Sequence, residues 1–259
     1  MNFESFAESY GLIIDRIDYD RWIRVPTTDH PAKRNGAYKL LDGVGWVQNH
    51  ATMQQPVLWR SDEPVRQDFV RIEKARQDTI ARQQAAAKKA AGILRSAKKT
   101  THPYLADKGF PDQKVYVWRD LMLLPMRVGD RLVGLQFIEA NGSKRFLSGQ
   151  VTKGASLVID NKGPDILCEG FATAMSVRRA MQHLKRRYKI HVCFSAGNML
   201  EVSKLVTLPL VIADNDPVGI KTAKQIGSRF WVGDDGFDFN DQEKKDGTHN
   251  VAVSLEKLL

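Results

Sequence analysis

Three carboxylates stand where short apolar segments end. Glu169 follows DILC, and Asp214 and Asp216 follow PLVIA within the run Asp214-Asn215-Asp216. Each such segment precedes a helix-length stretch: DILC precedes FATAMSVRRAMQHLKRR, HVCFSA precedes NMLEVSKLV, and PLVIA precedes VGIKTAKQIGSRF. That alternation predicts βαβ units and a parallel, largely buried sheet. A ligand site in such a sheet forms beyond the carboxyl ends of the strands, where all three acids fall. Crowded carboxylates raise one another's pKa unless a cation neutralises them, so a hard, oxygen-liganded ion such as Mg2+ or Mn2+ is the economical explanation. Asp214 and Asp216, two positions apart, point the same way if the backbone there is extended. Any one of the three alone reads as a helix N-terminal carboxylate favoured by the macrodipole; three at equivalent strand ends favour the cation.

The elements that position these acids are visible upstream. YVWRDLMLLPMRVGDRLVGLQFIEANGSKRFLSG alternates apolar runs with the turn signals VGD and ANG, which predicts a meander of antiparallel strands. Arg127, Arg131, Lys144 and Arg145 lie on or between those strands, with Lys144 and Arg145 just after the turn Ala140-Asn141-Gly142. Fixed cations facing a carboxylate cluster suit nucleotide or nucleic-acid phosphate, although Arg131 reads equally as a solvated strand edge. Residues 64–100 contain no proline after Pro64, and their only large apolar positions are Val65, Phe69, Val70, Ile72, Ile80, Ile93 and Leu94. This predicts one long, weakly amphipathic helix. With ten basic and three acidic residues, it reads as a solvated connecting helix ahead of a phosphate-gripping tract. Residues 1–63 hold the short alternating stretches WIRV, AYKLL and GWVQN with Trp22, Trp46 and Trp59, which predict a small β-containing domain with at least two of the tryptophans in its core. The expected division is therefore 1–63, a basic helical linker at 64–100, the antiparallel part at 101–162 and the parallel part at 163–259.

Composition narrows the partners. The chain has 259 residues, 42% hydrophobic and 27% charged, which argues against a disordered or fibrous protein. There are 39 Lys and Arg against 30 Asp and Glu, a net charge of +9, so a polyanion is the expected partner and nucleic acid leads. Cys168 and Cys193 are the only cysteines, which leaves no thiolate zinc cluster or disulfide framework, and both read as small core residues. His102, His183, His191 and His249 show no metal-ligand spacing. The short apolar runs and the start MNFESFAESYG, which lacks a signal pattern, predict a soluble cytoplasmic protein. No GxxxxGK[ST] occurs, so a helicase partner would be separately encoded.

These residues also carry a resemblance. Glu169-Gly170, followed by Asp214-Asn215-Asp216, resembles the Toprim fold of bacterial-type primases, topoisomerases and some nucleases, and FDFNDQ, with Asp238 and Asp241, resembles the downstream acidic element of the primase branch. HPYLADKG (102–109, carrying Lys108), LLPMR (123–127), LVGLQFIEANGSKRFLSG (132–149), CEGFATAMS (168–176) and FSAGN (194–198) are together similar to the Toprim primases of phages and plasmids. The likeness spans roughly residues 100–245, and it is specific because several motifs occur in one order.

The resemblance implies an α/β chain: a Toprim fold, a parallel sheet with flanking helices, preceded by a small antiparallel sheet and a small N-terminal β-containing domain. It implies template-directed synthesis of short RNA primers on single-stranded DNA by two-metal-ion nucleotidyl transfer. Glu169, Asp214 and Asp216 would be catalytic and bind Mg2+ or Mn2+, with Asp238 and Asp241 as further metal ligands. Arg127, Lys144, Arg145 and Lys108 would meet nucleotide or template. The partners would be a single-stranded template, ribonucleoside triphosphates and a separate replicative helicase, for a phage- or plasmid-encoded protein in a bacterial host. The alternatives are a Toprim nuclease and a catalytically decayed single-strand-binding or helicase-recruiting protein. RWIRVPTTDHPAKRNGAYKLLDGVGWVQNH resembles the layout of the zinc-ribbon domain that precedes such primases, yet no cysteine occurs in the first 63 residues. His30 and His50 cannot make a structural zinc site by themselves, so no zinc is expected, and template contact would fall to Arg24, Lys33, Arg34, Lys39 and the aromatics.

Overall fold

A computed structural model describes residues 1–41, 43–53, 55–61 and 69–259, the last stretch with side chains from residue 73 onward. It divides into two compact units, Met1–Ile80 and Ala81–Leu259.

The first unit opens with α1 (Phe3–Ser9), capped by Asn2, whose side chain accepts the Ser5 N–H at 2.9 Å. Strands β1 (Ile23–Val25), β2 (Gly36–Leu41), β3 (Val44–Asn49) and β4 (Val57–Arg60) form an antiparallel sheet in that order. Phe3, Ala7, Leu12, Tyr38, Leu40 and Val47 make its core. The expected tryptophan core is corrected here. Trp59 packs on the cluster, edge-on to Phe3 at 5.5 Å, but Trp22 is 48% exposed and Trp46 is half-buried beside Lys39. Side chains alternate along β3, so Val47 points inward opposite Tyr38 and Trp46 takes the other face.

Helix α2 (Phe69–Ser96) follows; the expected boundary at 63/64, Val65, and the side chains of Phe69 and Ile72 lie outside the described residues. The sequence pattern extends this helix to residue 100, but β5 (Lys98–Thr100) is an exposed strand instead. After it come α3 (Pro103–Asp107), β6 (Val115–Trp118), β7 (Leu121–Val128), β8 (Arg131–Ile138) and β9 (Lys144–Phe146). These five strands form the antiparallel meander β5-β6-β7-β8-β9, with both turn signals in place. Leu123, Leu135 and Phe137 on one face pack against Ala86, Ala90, Ile93 and Leu94 of α2. The second half of α2 is thus a packed helix, and small alanines let it sit close on the sheet. Met122, Leu124, Met126 and Ile138, on the other face, join the largest core of the unit.

The rest of the chain is β10 (Leu157–Asp160), β11 (Asp165–Cys168), α4 (Phe171–His183), β12 (Lys189–Val192), α5 (Ala196–Ser203), β13 (Leu210–Ala213), α6 (Pro217–Ile226), β14 (Phe230–Val232), α7 (Phe239–Asp246) and α8 (Thr248–Glu256). The sheet order is β10-β12-β11-β13-β14, parallel except for β10. Ile166, Cys168, Leu210 and Ile212 face α4, α7 and α8; Leu167, Val211 and Ala213 face α5 and α6. Helix α6 stops at Gly227, φ +72°, so the segment expected to stay helical to Phe230 breaks there and Phe230 opens β14. Both cysteines are buried and free. The chain is α/β, with a mostly parallel sheet flanked by helices, an antiparallel sheet before it and a β-containing first unit. No helix among the described residues is long and apolar enough to cross a membrane.

Candidate active site

The connection leaving β11 runs to β12 on one side, whereas that leaving β13 runs to β14 on the other. Diverging connections open a crevice between the carboxyl ends of two neighbouring strands. Glu169 follows β11 and Asp214 follows β13, whose Cys168 and Ile212 pair in register, so both acids stand at that crevice.

Asp214 is half-buried, and its Oδ1 is buried without a hydrogen-bond partner. Burial, and then the charges of Asp238, Glu169 and Asp216, push its carboxyl from an ordinary 3.8 up to about 7, against the pull of Lys144. Burial also raises Glu169, opposed by Lys144 and by the Ala196 N–H at the start of α5. Asp216 is exposed and caps α6, its Oδ1 accepting the Gly219 N–H at 2.6 Å. Its own N–H donates to the Asp214 carbonyl at 2.9 Å, which bends residues 214–216 into a tight turn. The extended alignment of Asp214 and Asp216 expected from the sequence is therefore not formed: the chain bends at Asn215, while Asp216 itself stays extended ahead of Pro217. Asp238 caps α7 through the Asp241 N–H at 2.8 Å and adds its charge to Asp214. Asp241 lies 3.7 Å from Lys108 Nζ.

Lys144 and Arg145 are neighbours on β9 and so face opposite ways. Lys144 acts on Glu169 and Asp214, while the Arg145 guanidinium stacks 4.8 Å from the Phe137 ring, on the sheet face that α2 covers. The Arg127 guanidinium donates to the Asp130 carbonyl at 2.6 Å and so closes its own hairpin. The structure thus gathers Glu169, Asp214, Asp216, Asp238 and Lys144, sets the Lys108–Asp241 pair at a neighbouring cleft, and turns Arg127 and Arg145 to other tasks. That cleft, of about 430 Å³, is lined by Lys108, Lys144, Lys244, Asp238 and the first residues of α4. Gly170 caps α4 with no side-chain acceptor, so the positive end of the helix is available to an anion.

Sequence reasoning missed how Glu169 is held. Phe194 adopts φ +70°, rare for a bulky residue, and its N–H donates to the Glu169 carbonyl at 2.9 Å. Ser195 then caps α5, which turns the Ala196 N–H toward the Glu169 carboxylate. Buried Asn198 fixes this corner by donating to the Ala155 and Cys193 carbonyls, each at 2.7 Å, and accepting the Gly154 N–H at 2.7 Å. FSAGN marks the place, but nothing in those letters announces a left-handed phenylalanine. Lys244 carried no signal, because only the fold brings α7 to the cleft.

The donor set fits a hard divalent cation: every candidate ligand is a carboxylate oxygen, and one of them, Asp214 Oδ1, is buried with no partner. Among the described residues no three His, Cys, Asp or Glu side chains are grouped so that they could hold a metal ion by themselves. Mg2+ suits such a site, since it commonly takes one or two carboxylates and completes its shell with water and substrate phosphates.

Among solved structures, the chain is similar to the primase fragment of the bacteriophage T7 primase-helicase protein at 10% identity and TM-score 0.43, over 90% of this chain and 99% of that one. It is also similar to a DNA primase domain from Pseudomonas aeruginosa (14% identity, TM-score 0.38, 71% of this chain and 58% of that one). A third is the E. coli primase catalytic core (15% identity, TM-score 0.38, 72% of this chain and 74% of that one). No protein-family model and no curated protein matches the sequence.

Proposed function

We propose that the chain is a Toprim DNA primase of the phage and plasmid type, a template-directed polymerase that makes short RNA primers on single-stranded DNA. The observation that carries this reading is Asp214, a partly buried carboxylate with an unpartnered oxygen, crowded by Glu169, Asp216 and Asp238 and faced by Lys144 at the switch point of the sheet. The order CEGF, FSAGN, DND, FDFND and the meander before it support the same reading.

Glu169, Asp214 and Asp216, with Asp238 beside them, would hold two Mg2+ or Mn2+ ions, whose charge, when bound, offsets that of the triphosphate and eases deprotonation of the attacking hydroxyl. Lys144 holds a phosphate of the incoming ribonucleotide against the acids, and Lys108, Lys244 and the start of α4 bind phosphate along the cleft. Glu169 would also accept the proton of the primer 3′-hydroxyl at its carboxylate. The first unit offers Arg24, Lys33, Arg34 and Lys39 to the template and needs no zinc. A separately encoded helicase in the cytoplasm of a bacterial host supplies the single strand.

A Toprim nuclease would use the same carboxylates for hydrolysis. Incubating labelled DNA or RNA with Mg2+ or Mn2+ and no nucleotides, beside unlabelled single-stranded DNA with labelled ribonucleotides, separates the two. The proposal expects template-dependent incorporation and intact input strands; cleavage without incorporation assigns the site to hydrolysis.

A further inference from the structure

His183 and His249 are 66 positions apart and show no ligand spacing in the sequence, yet the fold joins them. His183 ends α4 and His249 lies in the first turn of α8, and these helices pack together through Ala180, Val251, Ala252 and Leu255 on one face of the parallel sheet. His183 Nε2 stands 3.2 Å from His249 Nδ1, with the rings 5.4 Å apart and inclined at 76°. Both side chains are exposed, so ions reach them from solvent.

We infer that this pair is an exchangeable two-imidazole site for a divalent ion that prefers nitrogen ligands, Zn2+, Ni2+ or Cu2+, which would brace α8 against α4. A metal–nitrogen distance of roughly 2.0–2.1 Å sets two ligand nitrogens about 2.9 Å apart at a right angle and about 3.3 Å apart at the tetrahedral angle. The observed 3.2 Å falls between these values, so chelation asks only for ring rotation, a soft torsion for exposed histidines. As a hydrogen bond the pair engages one lone pair; with a metal it engages two. Arg179, four residues before His183 on α4, and Arg186, three residues after it, have partners of their own. Arg186 pairs with Glu256 at 3.5 Å, while Arg179 pairs with Glu243 at 3.5 Å and stacks on Phe110. Imidazole ligands disfavour Mg2+, so the site is chemically distinct from the carboxylate cluster and stands whatever reaction that cluster performs. With only two protein ligands, water fills the remaining positions and the ion exchanges freely.

The test uses untagged full-length protein in excess Mg2+, which occupies the oxygen sites. Zn2+ is added while the histidine ring resonances are followed by NMR, and Ni2+ binding is measured by calorimetry. The inference expects the His183 and His249 signals to move together and saturate at a single equivalent. Either His183→Ala or His249→Ala should weaken Ni2+ binding by more than the roughly 10–100-fold that loss of an outer-shell partner costs. Added Ni2+ should raise the melting temperature of the wild type and leave both variants unchanged. Equal Ni2+ affinity in wild type and variants, or Zn2+ shifts confined to other histidines, would overturn it. If an alanine variant melts lower without metal, His183→Gln and His249→Gln, which keep the side-chain bulk, are read by the same criteria.

Discussion

A methyl group on Gly219 would stand 2.3 Å from the carbonyl oxygen of Asp214. The first turn of α6 therefore lies directly against the end of β13, and the Gly219 N–H at the same time holds Asp216 Oδ1 at 2.6 Å. One glycine lets two of the candidate catalytic acids share a single turn. On helix propensity alone, alanine there would be favoured by about 0.5–1 kcal/mol.

Gly219→Ala is expected to destabilise the protein by about 1–3 kcal/mol, because the backbone contact must open, and to depress priming by moving Asp214. Urea unfolding reads the first effect and primer synthesis the second. A stabilised variant with full activity would show that the close approach has no part in the site.

Asp214 makes stability depend on pH. Its folded value of about 7 lies above the ordinary 3.8, so the folded protein binds this proton more tightly than the unfolded chain does. The stabilisation is complete below the ordinary value and is lost as pH rises toward about 7. Without divalent ions, unfolding free energy should fall across that window by up to roughly 4 kcal/mol, since each tenfold difference in proton affinity is worth about 1.36 kcal/mol. Asp214→Asn should flatten this dependence and unfold at higher urea than the wild type at neutral pH. Unfolding curves in a chelator across pH, for both proteins, check it; identical pH profiles would contradict the burial of an ionising Asp214.

Lys144 and Arg145 should separate cleanly. Lys144→Ala is expected to weaken nucleotide and template binding and to lower the salt slope by about 0.7–0.9, the share of one phosphate contact. Arg145→Ala should leave binding and slope near wild type, because its side chain lies over Phe137. Equal losses in the two variants, measured by binding at several salt concentrations, would mean that both cations reach the ligand.

Asp216 caps a helix and belongs to the acid cluster, and two substitutions divide these roles. Asn is as good a cap as Asp, so Asp216→Asn should keep its melting temperature and lose activity, with partial rescue by raised Mg2+. Asp216→Ala should lose activity and also about 0.5–2 kcal/mol of stability. An Asp216→Asn protein with full activity would leave this residue as a cap alone.

The parallel sheet was legible because buried strands such as DILC and PLVIA are continuous apolar runs, and the acids at their ends followed from that. The meander was legible from its turns, VGD and ANG. What stayed hidden depends on register and packing. Lys98–Thr100 has no apolar side chain, so an edge strand defined only by its partner β6 looked like the end of a helix. Ala86 and Ala90 bury a helix face without any large residue to announce it. Which of Lys144 and Arg145 faces the acids depends on the pairing of β9 with β8, and the meeting of His183 with His249 on how α8 docks, neither of which is local. Trp46 lies on the outer face of β3 and Trp22 just before β1, so in neither case does side-chain size bring burial.

The central claim is tested most directly by primer synthesis on single-stranded DNA with labelled ATP, the other ribonucleotides and Mg2+ or Mn2+, resolved by product length. Wild-type protein is expected to give template-dependent products longer than a dinucleotide. Glu169→Gln and Asp214→Asn, folded to the same extent, are expected to give none. Failure of the wild type to extend beyond a dinucleotide on any template, or undiminished synthesis by either variant, would contradict the account.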